Sequence, residues 1–170
     1  EKAGGYYGMP RFYVPERAVE HNERSQLFVL GGRFVATPGV MTDYAFIEED
    51  LKELSAQGID VRDIAFDPAQ AAYLMTRLEQ EGLPVVEMAQ SVRNLSEPMK
   101  EVEALILARK LWHDGNAAMT WMMGNVVARV DAKEHIYPRK EKQESKIDGA
   151  LALIMAMGRA LQVQEPGQIQ

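Results

Sequence analysis

Tyr44, Ile47, Leu51 and Leu54 recur at spacings of three and four among acidic residues, so Asp43 to Gln57 carries one apolar and one charged face and predicts an amphipathic helix. Thr42 or Asp43 supplies its N-cap, and Gly58 ends it. Val61 to Phe66 then reads as a short strand whose best apolar positions are Val61, Ile64 and Phe66. Asp67-Pro68 opens a second helix through Leu74, Met75 and Leu78 to a stop at Gly82. Val85 to Ala89 is the next strand, and Ser96 with Pro98 starts a helix carrying Val102, Leu105 and Ile106. Strand, helix, strand, helix at these lengths is the rhythm of a βαβ unit with a parallel pair, which predicts an α/β fold.

The flanks are less regular. Tyr6 to Val14 is aromatic and β-branched, bounded by Gly4-Gly5 and Pro15, and predicts a strand with an edge position or a bulge at Pro10. Pro15 to Arg24 is polar and fits a short helix or a loop. Leu27 to Val35, apolar around Gly31-Gly32, fits a hairpin, and Thr37-Pro38-Gly39 is a turn. Beyond Trp112 the expected elements are a strand from Val126 to Val130, a charged loop from Asp131 to Lys146, and a final helix using Ile147, Leu151, Ile154, Met155 and Leu161. The methionines in Met119 to Met123 and Met155 to Met157 are adaptable core fillers. No internal repeat is present. One domain over 1–162 is expected, followed by a frayed tail over 163–170 that contains Pro166 and Gly167.

Composition narrows the function classes. Nineteen basic against 25 acidic residues leave a net charge of -6, so no global positive field draws in a polyanion and a nucleic acid would need a local basic patch. The chain has no Cys, which excludes disulfides, thiolate metal sites and a cysteine nucleophile. No run of membrane-spanning length and no signal peptide is found, so a soluble, intracellular protein is expected. The chain begins at Glu1 and runs at once into strand-like sequence, as a fragment of something longer would. There is no GxxxxGK[ST], GxSxG or GxGxxG, which argues against ATP-driven work and dinucleotide chemistry.

Two carboxylates stand out by position. Asp67 lies at the carboxyl end of a predicted parallel strand, where open α/β sheets present reacting groups, and Asp148 lies at the start of the last helix. If those ends converge, the pair can share a divalent cation. Each also has a plain structural reading: Asp67-Pro68 is a standard N-cap with Pro at the first helical position, and Asp148 suits a helix dipole. His21, His113 and His135 lack metal-site spacing, and His113-Asp114-Gly115-Asn116 reads first as a polar turn. Arg129, Lys133, Arg139, Lys140, Lys142 and Lys146 stand against Asp131, Glu134, Glu141 and Glu144. That local basic excess can touch phosphates or simply be a solvated loop.

Several stretches occur in an order that resembles one family. They are Gly5-Tyr6-Tyr7 with Pro10-Arg11-Phe12-Tyr13-Val14-Pro15, Thr37-Pro38-Gly39 with Asp43-Tyr44, Val61-Arg62-Asp63-Ile64-Ala65-Phe66-Asp67-Pro68, and Gly82-Leu83-Pro84-Val85-Val86-Glu87 through Gln90. His113-Asp114-Gly115-Asn116, Trp121 with Asn125-Val126-Val127, and Lys140-Glu141-Lys142 through Lys146-Ile147-Asp148-Gly149 complete the series. Together they resemble the C-terminal nuclease domain of bacteriophage terminase large subunits over nearly the whole chain.

The resemblance implies a ribonuclease H-like mixed sheet flanked by helices, and an endonuclease that cuts concatemeric double-stranded viral DNA during packaging. Asp67 and Asp148 would be two of its metal-binding, catalytic acids, with Mg²⁺ or Mn²⁺ in a two-metal site. Arg139, Lys140, Lys142 and Lys146 would contact DNA. His113, Asn116 and Asn125 match patterned positions without an assignable role, His113 and Asn116 being candidates for the site's border. The implied partners are an ATPase domain upstream in the parent chain, the portal and the small terminase subunit, in the host cytoplasm and without a membrane. The family's first acid, on a Gly-x-Asp-Leu type first strand, has no counterpart before Tyr6, so the chain is expected to lack the first two strands and to cut weakly or not at all. A non-catalytic DNA-binding or assembly module is the alternative. A third reading, a resolvase or transposase relative, shares the acids but not the packaging context.

Overall fold

The computed structural model describes residues 4–163. Its frame is built around β4 (Ile64–Phe66) and β5 (Val85–Glu87), a parallel pair joined by α4 (Pro68–Gln80). Side chains alternate along a strand. Here Ile64 and Phe66 pack with Tyr44, Ile47 and Leu51 around Leu74, Met75 and Leu78, while Ala65 packs into the core of Met88, Leu95, Val102, Leu105, Ile154, Met155 and Met157. A strand covered on both faces has no room for polar alternation, which is why three consecutive apolar residues suffice.

The helices follow from their stripes and caps. In α3 (Tyr44–Ala56) the Asp43 carboxylate accepts the Ala45 N–H at 2.9 Å, and the face bearing Tyr44, Ile47 and Leu51 lies on α4. Across the charged side, Glu48 is tied to Lys52 and to Arg77 of α4, each at 2.8 Å, and Lys52 also reaches Glu81 at 3.2 Å. The Lys52 hydrogen bond is the main reason the Glu48 carboxyl lies below its ordinary range, with the Arg77 charge adding to it. On the other side of β4, α5 (Val92–Leu107) lies along α7 (Asp148–Val163), with Leu95 and Ile154 fully buried between them.

The remaining strands form three further two-stranded ladders. β1 (Tyr6–Gly8) pairs in parallel with β6 (Leu111–His113), β2 (Tyr13–Pro15) in parallel with β3 (Val35–Thr37), and β7 (Val126–Val130) antiparallel with β8 (Ile136–Lys140). The α/β class, with helices flanking the strands, is therefore as expected. The strands are spread over four ladders among the described residues, however, and are not joined in one sheet. The expected frayed tail lies outside the described residues from 164 onward.

Four local expectations are corrected. Tyr6 to Val14 is not one strand: around Pro10 it divides into β1 and β2, which join different partners. Leu27 to Val35 is not a hairpin but the end of α2 (Glu23–Leu30) followed by β3; the Asn22 side chain caps α2 through the Ser25 N–H, and Gly32 at φ 66 turns the chain out of it. Phe28 of α2 packs against Phe34 and Trp121, contacts that a sequence pattern cannot register. α5 begins at Val92 under a Ser91 cap, not at Ser96, and holds Pro98 inside it. Gly158 of α7 makes room there, since a Cβ on it would lie 3.0 Å from the Pro98 ring and 2.7 Å from Met88. The charged segment Asp131 to Lys146 is not all loop, because β8 lies within it. β6 and α6 (Ala117–Gly124) are elements for which the sequence pattern gave no expectation.

Candidate functional site

Asp67 stands directly after β4 and caps α4: its Oδ1 accepts the Ala69 N–H at 3.1 Å, and Pro68 takes the first helical position. The capping role read from sequence is real, and it leaves Oδ2 without a protein partner among the described residues. Asp148, the first residue of α7, is exposed, and its carboxylate makes no hydrogen bond or ion pair among the described residues. Both acids border one trough of about 830 Å³. Tyr6, Ile64, Ala65 and Phe66 line it together with Ala152, Ala156 and Ala160 of α7. The two ends, remote in sequence, thus line one and the same cavity.

Close packing sets where Asp148 sits. A Cβ on the adjacent Gly149 would lie 2.7 Å from the Phe12 ring and 3.0 Å from Met122 Sδ, so only glycine lets α7 start this near both. The Gly149 N–H points at Met122 Sδ at 3.1 Å, and Asn125 Nδ2 donates to the Lys146 carbonyl at 2.9 Å, pinning the segment that leads into the helix. Asn125 therefore acts on backbone.

Other acids of the trough are already engaged. Arg159 grips Asp63 at 2.9 and 3.0 Å, and Arg62 meets Asp60 at 2.8 Å. Among the described residues no group of three His, Cys, Asp or Glu side chains is arranged to hold a metal. The free donors are hard carboxylate oxygens from two residues, a set that suits Mg²⁺ or Mn²⁺ in kind and supplies part of a coordination shell.

A second cavity, of about 800 Å³, opens beside the trough. Arg129, Arg139, Lys140 and Lys146 line it with His135, while the only acids on its walls are Asp131 and Asp148. The β7–β8 hairpin builds this groove. Arg129 pairs with Tyr137, and Arg139 lies two residues further along the same face, so both guanidinium groups project from one side of the ladder. Asp131 closes the hairpin turn by accepting the Lys133 and His135 N–H groups at 2.8 and 3.0 Å, with the His135 ring 3.0 Å away. The His135 hydrogen bonds are the largest reason the Asp131 carboxyl is held below its usual range. The hairpin is docked by the Ile136 N–H on Ser96 Oγ and the Tyr137 hydroxyl on the Gln90 carbonyl, both at 3.1 Å.

Of the four basic residues expected to contact DNA, Arg139, Lys140 and Lys146 line the groove and Lys142 is exposed outside its lining; of the other two in that basic stretch, Arg129 lines it and Lys133 does not. Arg129, His135 and Gln90 line it as well, and their share in it depends on β8, an element hidden by Pro138 and flanking charges. Gln90, Asp148 and Leu151 border both cavities. His113 and Asn116 line neither of these two cavities. The His113 Nδ1 accepts the Gly115 N–H at 3.1 Å, and buried Asn116 caps α6 through the Ala118 and Met119 N–H groups.

Comparison with known proteins identifies the family to which this arrangement belongs. The family described as terminase large subunit, endonuclease domain, matches residues 18–164. Protein YmfN of Escherichia coli strain K12 is 42% identical over 169 residues, spanning 92% of this chain and 37% of that protein. The large terminase subunit of Enterobacteria phage HK97 is 27% identical over 158 residues, or 89% of this chain and 31% of the relative. The chain thus spans about a third of the length of these relatives. Among solved structures, the HK97 bacteriophage large terminase superposes with a TM-score of 0.80 at 25% identity over 94% of this chain and 34% of the other. The large terminase nuclease from thermophilic phage G20c superposes at 0.53 and 12% identity, over 74% and 64% of the two chains, a likeness of fold alone.

Proposed function

This chain belongs to the endonuclease-domain family of terminase large subunits, and from that premise we propose that its trough and groove are the two halves of one DNA-cutting site. The single observation that carries the reading is that Asp67 and Asp148, remote in sequence, border the same trough with unengaged carboxylate oxygens, while Asp148 also closes the basic groove. Membership supports a nuclease role in DNA packaging, and the α/β fold is that of terminase nucleases, which are ribonuclease H-like.

Duplex DNA lies along the groove. Arg129, Arg139, Lys140 and Lys146 meet its backbone phosphates, a contact that positions the strand without reading its sequence. Asp67 and Asp148 would hold Mg²⁺ or Mn²⁺, which supplies Lewis-acid stabilisation of the phosphoryl oxygens and an activated water for phosphodiester hydrolysis. The cap made by Asp67 and the close packing of Gly149 fix the backbone from which the two carboxylates project. Two carboxylates supply only part of a two-metal donor set. The isolated 170 residues therefore bind DNA and cut it weakly or not at all. In the parent, the same surface works beside an ATPase domain, with portal and small terminase subunit as packaging partners in the host cytoplasm.

The test is nicking of supercoiled plasmid by the full-length parent protein with Mn²⁺. Asp67→Ala and Asp148→Ala should each abolish nicking, a loss of at least about a hundredfold, while leaving the fold intact. Unchanged nicking in both variants would remove these acids from the mechanism.

A further inference from the structure

Among the described residues, Gln90 is the uncharged polar residue that lines both the acidic trough and the basic groove. Its surroundings hold its backbone and leave its amide free. The Gln90 carbonyl accepts the Tyr137 hydroxyl at 3.1 Å. The neighbouring Ala89 carbonyl accepts both Asn94 Nδ2 at 2.8 Å and the Ser91 N–H at 2.9 Å, and Ser91 caps α5. Anchored between β5, α5 and the β7–β8 hairpin, the residue is half-buried, and its side-chain amide makes no hydrogen bond among the described residues. A primary amide left free at a rigid position, where two cavities of opposite charge meet, has one evident chemical use.

Resting on the nuclease reading above, we propose that Gln90 is a substrate-contacting residue that donates from its side-chain amide to a non-bridging oxygen of the phosphodiester passing from the groove onto Asp67 and Asp148. Residue type matters at this junction. A Lys or Arg would pair with the two carboxylates and compete with a cation for their oxygens, and a Glu would repel the incoming phosphate. An amide can donate to phosphate without altering the charge balance of the acids. The four cations of the groove hold the duplex on one side of the junction and the acids act on the other, so Gln90 fixes the path of the strand between them. Its contribution is geometric: it aligns the scissile bond and adds little to overall affinity.

The experiment uses the full-length parent protein with Mn²⁺, comparing Gln90→Ala and Gln90→Glu with Asp67→Ala and Asp148→Ala. Four quantities are measured: kcat and KM for plasmid nicking, duplex affinity by fluorescence anisotropy, and melting midpoint. Gln90→Ala should lower kcat roughly 10- to 100-fold, with affinity and melting midpoint close to those of the parent. Gln90→Glu should be lower still, because it opposes phosphate with charge. Nicking by Gln90→Ala within twofold of the parent, while the two Asp variants are dead, overturns the role of Gln90 and leaves the nuclease reading standing. Equal losses for Ala and Glu, or losses matched by a fall in melting midpoint, also overturn it, since neither pattern requires the amide to face phosphate. Full nicking by both Asp variants overturns the nuclease reading and this proposal together.

Discussion

The two cavities that meet at Asp148 are nearly equal in volume and opposite in character. Asp60, Asp63, Asp67 and Asp148 border the trough, with Arg62 and Arg159 in place to neutralise Asp60 and Asp63. Arg129, Arg139, Lys140 and Lys146 border the groove, where Asp131 is engaged with His135 and its turn. Subtracting the paired groups leaves two free acids facing four cations. Net charge, -6 for the whole chain, conceals this separation. Charge sorted between neighbouring cavities lets an acidic protein attract a polyanion locally and still offer bare carboxylates at the far end of the path.

Their construction differs too. The trough is made by the packed centre, from β4, α7 and the wall of α3, and depends on the main cores. The groove is carried by the β7–β8 hairpin, whose charged face is exposed while Tyr137 packs on the core and two hydrogen bonds reach Ser96 and Gln90. Damage to the centre should therefore cost stability and cutting together, whereas damage to the hairpin face should cost DNA affinity first.

Gly149→Ala should give the largest effect. The added methyl meets the Phe12 ring at 2.7 Å, so α7 must shift at the residue next to Asp148. A loss of about 1–3 kcal/mol in unfolding free energy is expected. Thermal melting should show a lower midpoint, and nicking should fall with it; a variant that melts and nicks like the parent would show that the α7 start is not set by this contact.

Charge reversal in the groove is the next largest. Arg139→Glu combined with Lys140→Glu should raise the dissociation constant for duplex DNA and flatten the dependence of log K on log salt by about two, roughly one per lost phosphate contact. Melting should be unaffected, because both side chains are exposed. Titrations at several salt concentrations check this, and an unaltered salt slope would take the groove out of the DNA path.

The smallest effect concerns pH. The Glu48 carboxyl, held low chiefly by Lys52, contributes stability that is present above the ordinary value of 4.5 and is lost as pH falls through its lower folded value. Glu48→Gln should therefore lower the melting midpoint modestly near neutrality, with the gap to the parent narrowing as pH drops below 4.5. A gap constant across that window would mean that the carboxylate charge does not strap α3 to α4 and so does not stiffen the trough wall.

Legibility in the sequence followed the range of the forces involved. The α3, α4 and α7 helices were visible because the 3.6-residue stripe and the caps Asp43 and Asp67 are local features. β4 was visible because a strand packed on both faces is continuously apolar, and β5 because Val85-Val86 follows a helix stop at Gly82. β8 was not, since Pro138 and the charges around it mask a strand whose pairing is with β7 and whose support comes from α5. α2 was mistaken because Gly31-Gly32 marks a helix end as readily as a hairpin turn, and only the packing of Phe28 on Trp121 separates the two.

At the site, the residue types and positions of Asp67 and Asp148 were evident from strand and helix ends, together with a family resemblance that spans the chain. What the tertiary structure alone decided is that the two ends share one trough, that Arg129 and Arg139 project from one face, and that Gln90 stands between the cavities. Local periodicity is written in neighbouring residues, but the meeting of distant side chains depends on contacts such as Gly149 on Phe12, whose partner is far away in the chain and leaves no mark on the local pattern.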